Sequence, residues 1–368
     1  MSTKKDKFNQ KDRFYMNLAL KLARARHGLT GENPSVGCVI VKNNQIISIG
    51  QTGFGGRPHA ETNAINLCYE NLNNSIMYVT LEPCNHYGIT PPCTKLIINK
   101  KIKKLYYSID DIDKKVKGKT LNLLKLKKII VKKGLLKKDI NDFYNPYIFN
   151  RKNKIPFVTG KIAVSKNNLI YSKNNKKITD NYSDKLTHFL RYKNDSLLIS
   201  YKTLNKDNPK LNCRLKGLSK FSPRRIILDN NLKMKKNSYI FKTASKNNTI
   251  IFYRDADKNK ISLFRKKGIH LIKSKLRHDK YFDLNFILKK LYLFRCRNLL
   301  VEGGNDLCSS FLKNRLFNCF YLFKSPKNLS KLVSYKEFNG FKYLSQKYKS
   351  KSKINTKLGK DSIILYRN

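Results

Sequence analysis

HAETNAINLCYENLNNSIMYVTLEPCNHYGITPPC, residues 59–93, carries the alternation that decides the fold of the amino-terminal half. From 59 to about 72 the apolar spacing is helical, and IMYVTL at 76–81 is a β-rich run. Pro91-Pro92 suits the first turn of a second helix, where a missing amide proton costs nothing. That helix leads into KLYYSI at 104–109, another strand. Toward the amino terminus, VGCVIVK at 36–42 and QIISIG at 45–50 flank Asn43-Asn44, residues that tolerate positive φ, and so predict a hairpin. Residues 11–28 read as an amphipathic helix through Phe14, Leu18, Leu22 and Ala25, closed by Gly28. Strands alternating with helices predict a layered α/β domain over 1–145.

In the other direction the pattern breaks over 141–156, NDFYNPYIFNRKNKIP, which mixes Pro, Asn and charges, and the domain boundary is placed there. A second alternation follows in FVTGKIAVS, SLLIS, RRIILD, NTIIFY, GIHLI and NLLVEGG, predicting a second α/β domain with an open sheet over 155–368. Beyond about 325 the chain is rich in Lys and Ser until a final strand-like SIILYR. A length of 368 residues agrees with two domains.

The hydrophobic share, 40 %, and 41 Tyr and Phe residues exclude wholesale disorder despite a net charge of +54. That charge comes from 62 Lys against only 16 Arg, with no arginine-rich stripe. Base-specific contacts draw on the arginine fork, so the composition reads as coding bias rather than as a specific nucleic-acid partner. No run of about 18 apolar residues is present, and MSTKKDKFNQKDRF lacks the apolar core of a secretory signal. A cytoplasmic protein with no membrane partner is expected. Eight unevenly spaced Cys do not resemble a secreted disulfide framework, so metal ligands or buried thiols are expected among them.

His59, Cys84 and Cys93 are zinc-ligand types, and one imidazole with two thiolates leaves a fourth position for water, as in a catalytic Zn²⁺ site. Glu61, two residues after His59, is the expected proton shuttle for a zinc-activated water attacking an amidine-like ring carbon, with ammonia leaving. Taken singly, His59 reads as a surface helix residue, Glu61 as a solvated first-turn acid, and either Cys as a buried thiol. In this order they match the signature of zinc deaminases.

PCNHYGITPPC at 83–93 sets eight residues between the cysteines, where nucleic-acid deaminases usually have two. With NPSVGCVIV at 33–41 and RPHAE at 57–61 it resembles the bifunctional riboflavin biosynthesis deaminase/reductase family, a resemblance covering nearly the whole chain. KIAVS at 161–165, Thr179, TLNKDNPKLNCR at 203–214 and VEGGNDL at 301–307 resemble the reductase segments. The resemblance implies a cytidine-deaminase-like three-layer αβα domain followed by a dihydrofolate-reductase-like α/β domain. It implies Zn²⁺ and NADPH as cofactors and a homo-oligomer. The implied activity is deamination of a diaminopyrimidine ribosylamino phosphate followed by reduction of its ribosyl chain. Asn33, Asn85, His86, Asn175, Leu211, Arg214 and Glu302 are then expected at substrate, and Ala163, Lys177, Thr203, Asp207 and Gly304 at cofactor; Arg191, with Arg214, is a phosphate-clamp candidate at substrate by residue type, and reads equally as a solvated helix residue.

Departures from the family pattern are specific. Ile89 stands where a basic residue usually lies between Gly and Thr, so another group must supply that cation. Lys177 replaces a common Trp, Ser165-Lys166-Asn167-Asn168 replaces S-L-D-G, and Asp111-Ile112-Asp113-Lys114 replaces D-P-N-P. Two rival readings are a nucleic-acid deaminase with a basic binding domain, and a deaminase whose reductase half has become a structural module.

Overall fold

The structure, a computed structural model, describes residues 8–173, 177–277, 281–332, 334–354 and 359–368. Two units divide the chain, Met1–Asn153 and Lys154–Asn368. The first runs α1 (Gln10–Arg26), β1 (Gly37–Lys42), β2 (Gln45–Gln51), α2 (Ala60–Asn66), β3 (Ile76–Leu81), α3 (Cys93–Asn99), β4 (Lys104–Ile109), α4 (Lys119–Leu126), β5 (Ile130–Lys133) and α5 (Lys137–Asn153). Its five strands lie in the order β2-β1-β3-β4-β5. The hairpin β1–β2 turns on Asn43 and Asn44, both at positive φ (49° and 64°), and β3, β4 and β5 are parallel.

Three expectations change in this unit. The face of α1 that is buried carries Asp12, Tyr15, Met16, Ala19, Leu20 and Ala23, whereas Phe14 is 60 % exposed. Apolar residues populate both sides of this helix, and Gly37 selects between them: a Cβ there would lie 1.9 Å from the Ala19 carbonyl oxygen, so α1 rests backbone to backbone on β1. α2 ends at Asn66 rather than near 72. The break in pattern over 141–156 is mostly helix, the greater part of α5, which continues to Asn153 through Pro146, and the division between the two units falls just after it, inside the expected range.

The second unit runs β6 (Phe157–Val164), β7 (Leu169–Ser172), α6 (Asn181–Lys193), β8 (Ser196–Ser200), α7 (Tyr201–Asp207), β9 (Arg224–Leu228), α8 (Tyr239–Lys242), β10 (Thr249–Tyr253), α9 (Lys258–Lys266), β11 (His270–Lys273), α10 (Leu284–Leu293), β12 (Asn298–Glu302) and α11 (Asn305–Lys313). It finishes with β13 (Cys319–Lys324), β14 (Tyr335–Glu337), α12 (Phe341–Lys347), β15 (Ser350–Ile354) and β16 (Ser362–Arg367). Nine strands form one sheet, β11-β10-β9-β8-β12-β6-β13-β16-β15, parallel from β11 to β13 and antiparallel beyond. Successive strand residues feed opposite faces, as the pleat requires. Leu198, Ile226, Phe252 and Leu299 enter one core with α10 and α11, while Leu197, Ile199, Ile227, Ile251 and Leu300 enter the other with Leu190 and Phe264. Two buried faces explain why these strands read as unbroken apolar runs. Among the described residues no helix is long and apolar enough to cross a membrane.

Candidate active sites

In the first unit two helix starts and one strand end converge. Gly50 lets α2 sit directly on β2, since a Cβ there would lie 2.2 Å from the Ala60 carbonyl oxygen. This fixes His59, the residue immediately before α2, and brings Glu61 in its first turn into the interior, 4 % exposed. β3 delivers Cys84 just past its end, and Cys93 opens α3. His59 Nδ1 lies 3.5 Å from Cys84 Sγ and 3.4 Å from Cys93 Sγ, and the Cys93 backbone N–H donates to Cys84 Sγ at 3.3 Å. All three ligand atoms fall within 4.8 Å of one another.

The electrostatics follow from that packing. Hydrogen bonds from the Cys93 thiol and His59 outweigh burial and pull the Cys84 thiol down to about 4, while Cys93, the proton donor of the pair, is held well above its ordinary value. The His59 imidazole is raised by its hydrogen bond to Cys84. Burial pushes the Glu61 carboxyl up to about 7 against the opposing pull of His59. One imidazole nitrogen and two sulfurs, one already thiolate-like, fit a tetrahedral Zn²⁺ with a position to spare.

Sequence reasoning missed the frame around this centre. The buried Glu82 carboxylate accepts three backbone N–H bonds, from Asp111 (3.2 Å), Gly118 (3.0 Å) and Thr120 (3.2 Å), and Thr120 Oγ1 donates to the Pro83 carbonyl at 2.7 Å. The first turn of α4 and the loop before it are thereby tied to the residues preceding Cys84. α5 grips the opposite side. Tyr144 donates to the Ser35 carbonyl at 2.9 Å and shares a 2.7 Å bond with Thr80 Oγ1, and Arg151 donates to the Glu32 carbonyl at 2.7 Å. Asn33 lies between those two carbonyls and donates to the Gly56 carbonyl at 3.0 Å, so it is held beside the turn that leads to His59. Asn85 and His86 lie half-buried in the loop between the cysteines, and His86 Nδ1 is buried without a hydrogen-bond partner.

The second unit holds a cleft of about 840 Å³ at the carboxyl ends of β6, β8, β9 and β12, the edge at which open parallel sheets bind ligands. Ala163, Arg191, Thr203, Asp207, Leu211, Glu302 and Gly304, expected from widely separated segments, all line it. Arg191 and Glu302 face each other as a two-point pair, Nε and Nη2 to the two carboxylate oxygens at 2.7 Å each. Burial would raise Glu302, but the arginine charge and hydrogen bonds hold it below the usual carboxylate range. Burial raises Asp207 and lowers Lys161, which also lines the cleft. Leu211, 2 % exposed, has φ of 52°, a left-handed backbone that a branched side chain seldom adopts. Gly304 precedes α11 without a side-chain cap, leaving its first amides available to an anion.

Two expected residues are exposed and are not among those lining the cleft. Lys177 is exposed and paired with the first turn of α6, 2.7 Å from Asn181 Oδ1 and 2.8 Å from Asp184 Oδ2, which hold its ammonium there. Arg214 is exposed and bonds Asn212 Oδ1 at 3.4 Å. Asn175 lies outside the described residues.

Comparison with known proteins matches both units. Residues 9–109 fit the cytidine and deoxycytidylate deaminase zinc-binding region, and residues 160–351 fit the RibD C-terminal domain. The riboflavin biosynthesis protein RibD of Actinobacillus pleuropneumoniae is 34 % identical, the match covering 96 % of this chain and 94 % of that protein. A diaminohydroxyphosphoribosylaminopyrimidine deaminase of Buchnera aphidicola is 46 % identical over 38 % of this chain and 95 % of its own length. The crystal structure of a diaminohydroxyphosphoribosylaminopyrimidine deaminase/5-amino-6-(5-phosphoribosylamino)uracil reductase from Thermotoga maritima superposes with a TM-score of 0.82 at 28 % identity, covering 97 % of this chain and 98 % of that one. A deaminase-type His/Cys/Cys centre joined in one chain to a RibD-type cleft places this protein in the RibD family of riboflavin biosynthesis deaminase/reductases.

Proposed function

We propose that the first unit hydrolytically deaminates 2,5-diamino-6-ribosylamino-4(3H)-pyrimidinone 5′-phosphate and that the second reduces the ribosyl chain of the product with NADPH, giving 5-amino-6-ribitylaminouracil 5′-phosphate. The observation that carries the reading is the convergence of His59, Cys84 and Cys93 beside the buried Glu61. His59 Nδ1 and the two sulfurs would hold the zinc, which when bound would supply an acidified water as nucleophile. Glu61, poised near neutrality by burial, takes a proton as the ring carbon is hydrated and returns it to the departing amine. Asn33, Asn85 and His86 orient the ring, the unpartnered His86 Nδ1 being free to meet a polar edge of it.

In the cleft a bound NADPH would supply hydride to the opened ribosyl group. Ala163, Thr203, Asp207 and the Gly304 turn hold the cofactor, and Arg191, Leu211 and Glu302 orient the substrate. Lys161, Lys202, Lys206 and Lys336 line the same cleft, a cation set that favours the phosphorylated nicotinamide. We read the enzyme as cytoplasmic and homo-oligomeric, acting on a small phosphorylated pyrimidine and not on a specific nucleic acid. Incubating zinc-loaded protein with the diaminopyrimidine phosphate and NADPH should release ammonia and consume NADPH in the same cuvette. Ammonia without NADPH loss removes the reductase assignment, and neither signal removes both.

A further inference from the structure

Arg57 sits where two rims of the His59/Cys84/Cys93 centre meet. It ends the turn leading to His59, yet its Nη1 donates at 2.9 Å to Thr90 Oγ1, in the loop closed between Cys84 and Cys93. That loop begins and ends on the two sulfurs, its middle, Gly88 to Thr90, is exposed, and the Arg57 bond ties it to the turn before His59. Among the described residues Arg57 makes this one hydrogen bond and no ion pair. The rest of its planar fork is unengaged, and Gly88 leaves room beside it, since a Cβ there would lie 3.9 Å from Nη2. Ile89, 85 % exposed, places no charge at this point of the loop. Lys95, nearby on α3, is engaged with Tyr87 Oη at 3.2 Å.

We infer that Arg57 is the anion-recognising residue of the deaminase site, binding the substrate phosphate at its entrance while the ring occupies the metal centre. A ring amine seated at the three ligands must leave its bulky phosphorylated substituent outside them, and the entrance is where it emerges. A guanidinium steered by one neutral hydroxyl, with donors left over, suits two-point recognition of a phosphate dianion. Arg57 thus provides at this entrance the cation that position 89 lacks.

The inference rests on the deamination proposed above, and the test keeps the two apart. Ammonia release is measured for the phosphorylated substrate and for the same compound without its phosphate. In Arg57→Met the preference for the phosphorylated compound, as a ratio of kcat/KM, should fall about 10- to 100-fold. Zinc content and NADPH-linked reduction of supplied deaminated intermediate should not change. Arg57→Lys should retain part of the preference, and Arg57→Met/Ile89→Arg should regain most of it, because an arginine at 89 starts one residue from the Thr90 anchor. Equal losses for both compounds, or an unchanged preference in a variant that still releases ammonia, would overturn the role of Arg57 alone. Wild-type protein that releases ammonia from neither compound would overturn the deaminase reading and this inference with it.

Discussion

The two centres of this chain are built on different plans. The His59/Cys84/Cys93 centre is gathered from 35 consecutive residues, two helix starts flanking one strand, so most of its chemistry is written in one short stretch. The cleft of the second unit is gathered from the ends of β6, β8, β9 and β12 and from α6, with Ala163 and Glu302 brought together only because β12 pairs with β6. A local centre keeps its spacing through heavy sequence drift. A centre assembled from distant strands depends on the register of the whole sheet, and its single residues carry little signal alone.

The largest effect expected from this difference lies at Glu61. Glu61→Gln keeps the shape and removes the titrating oxygen, so ammonia release should fall about 10²- to 10⁴-fold, with zinc, measured by metal analysis, unchanged at about one per chain. Reduction of supplied deaminated intermediate should continue at the wild-type rate. Ammonia release that persists in a zinc-replete variant would move the proton transfer to another group. Loss of both activities would show that the first centre is not local after all.

What could be read in advance follows the same division. The hairpin, β3, β4 and the ligand set were legible because each is a contiguous signal: Asn43-Asn44 between apolar runs, or His and Cys at fixed offsets. The face of α1 was not, because both Phe14 and Tyr15 continue helical stripes and only the close approach at Gly37 chooses between them. α5 was not legible as a helix, although Ile140, Tyr144, Tyr147 and Arg151 fall at helical spacing. Pro146 and the surrounding Asn and charged residues hid a stripe that begins with Ile140 and Tyr144 and ends on the polar Asn150 and the half-buried Arg151. In the second unit the family resemblance collected six cleft residues that no local pattern would have joined, with Arg191 joining them by residue type. It also carried over Lys177 and Arg214, which this fold turns outward. Nothing local announces that Leu211 adopts a left-handed backbone, since tertiary packing imposes it.

The intermediate effect lies in the Arg191–Glu302 pair. Its side chains are only 11 % and 15 % exposed, so removing one partner strands a charge in a poorly solvated site. Arg191→Met or Glu302→Gln should each destabilise the second unit by about 3–5 kcal/mol, read as a lower urea midpoint, and should abolish NADPH oxidation while ammonia release survives. The double variant should recover part of what either single one loses, since neither member of the pair is left facing a missing partner; the part not recovered is the loss to Lys161 of the Glu302 charge beside it. If each single variant instead keeps wild-type stability and loses only substrate affinity, the pair is a binding device and not a structural one.

The smallest effect asks how local the first centre really is. Tyr144 is 64 residues from Thr80 and 109 from Ser35, yet its hydroxyl bonds both, and Arg151 reaches Glu32 across a separation of 119. Between those carbonyls lies Asn33, whose backbone oxygen accepts from Thr30 Oγ1 at 2.7 Å and whose side chain donates to the Gly56 carbonyl. Tyr144→Phe removes one buried hydroxyl and leaves the Ser35 carbonyl short of a donor, a loss of about 1–3 kcal/mol. If α5 serves only stability, kcat and KM for ammonia release stay at their wild-type values in the folded fraction. If it positions Asn33, KM rises a few-fold while kcat and zinc content hold, and Asn33→Ala added to Tyr144→Phe raises KM no further than Asn33→Ala alone. The second outcome would mean that the metal ligands can be local while the substrate pocket is not: the chemistry is encoded in one stretch, and its orientation is supplied by the helix that ends where the second unit begins.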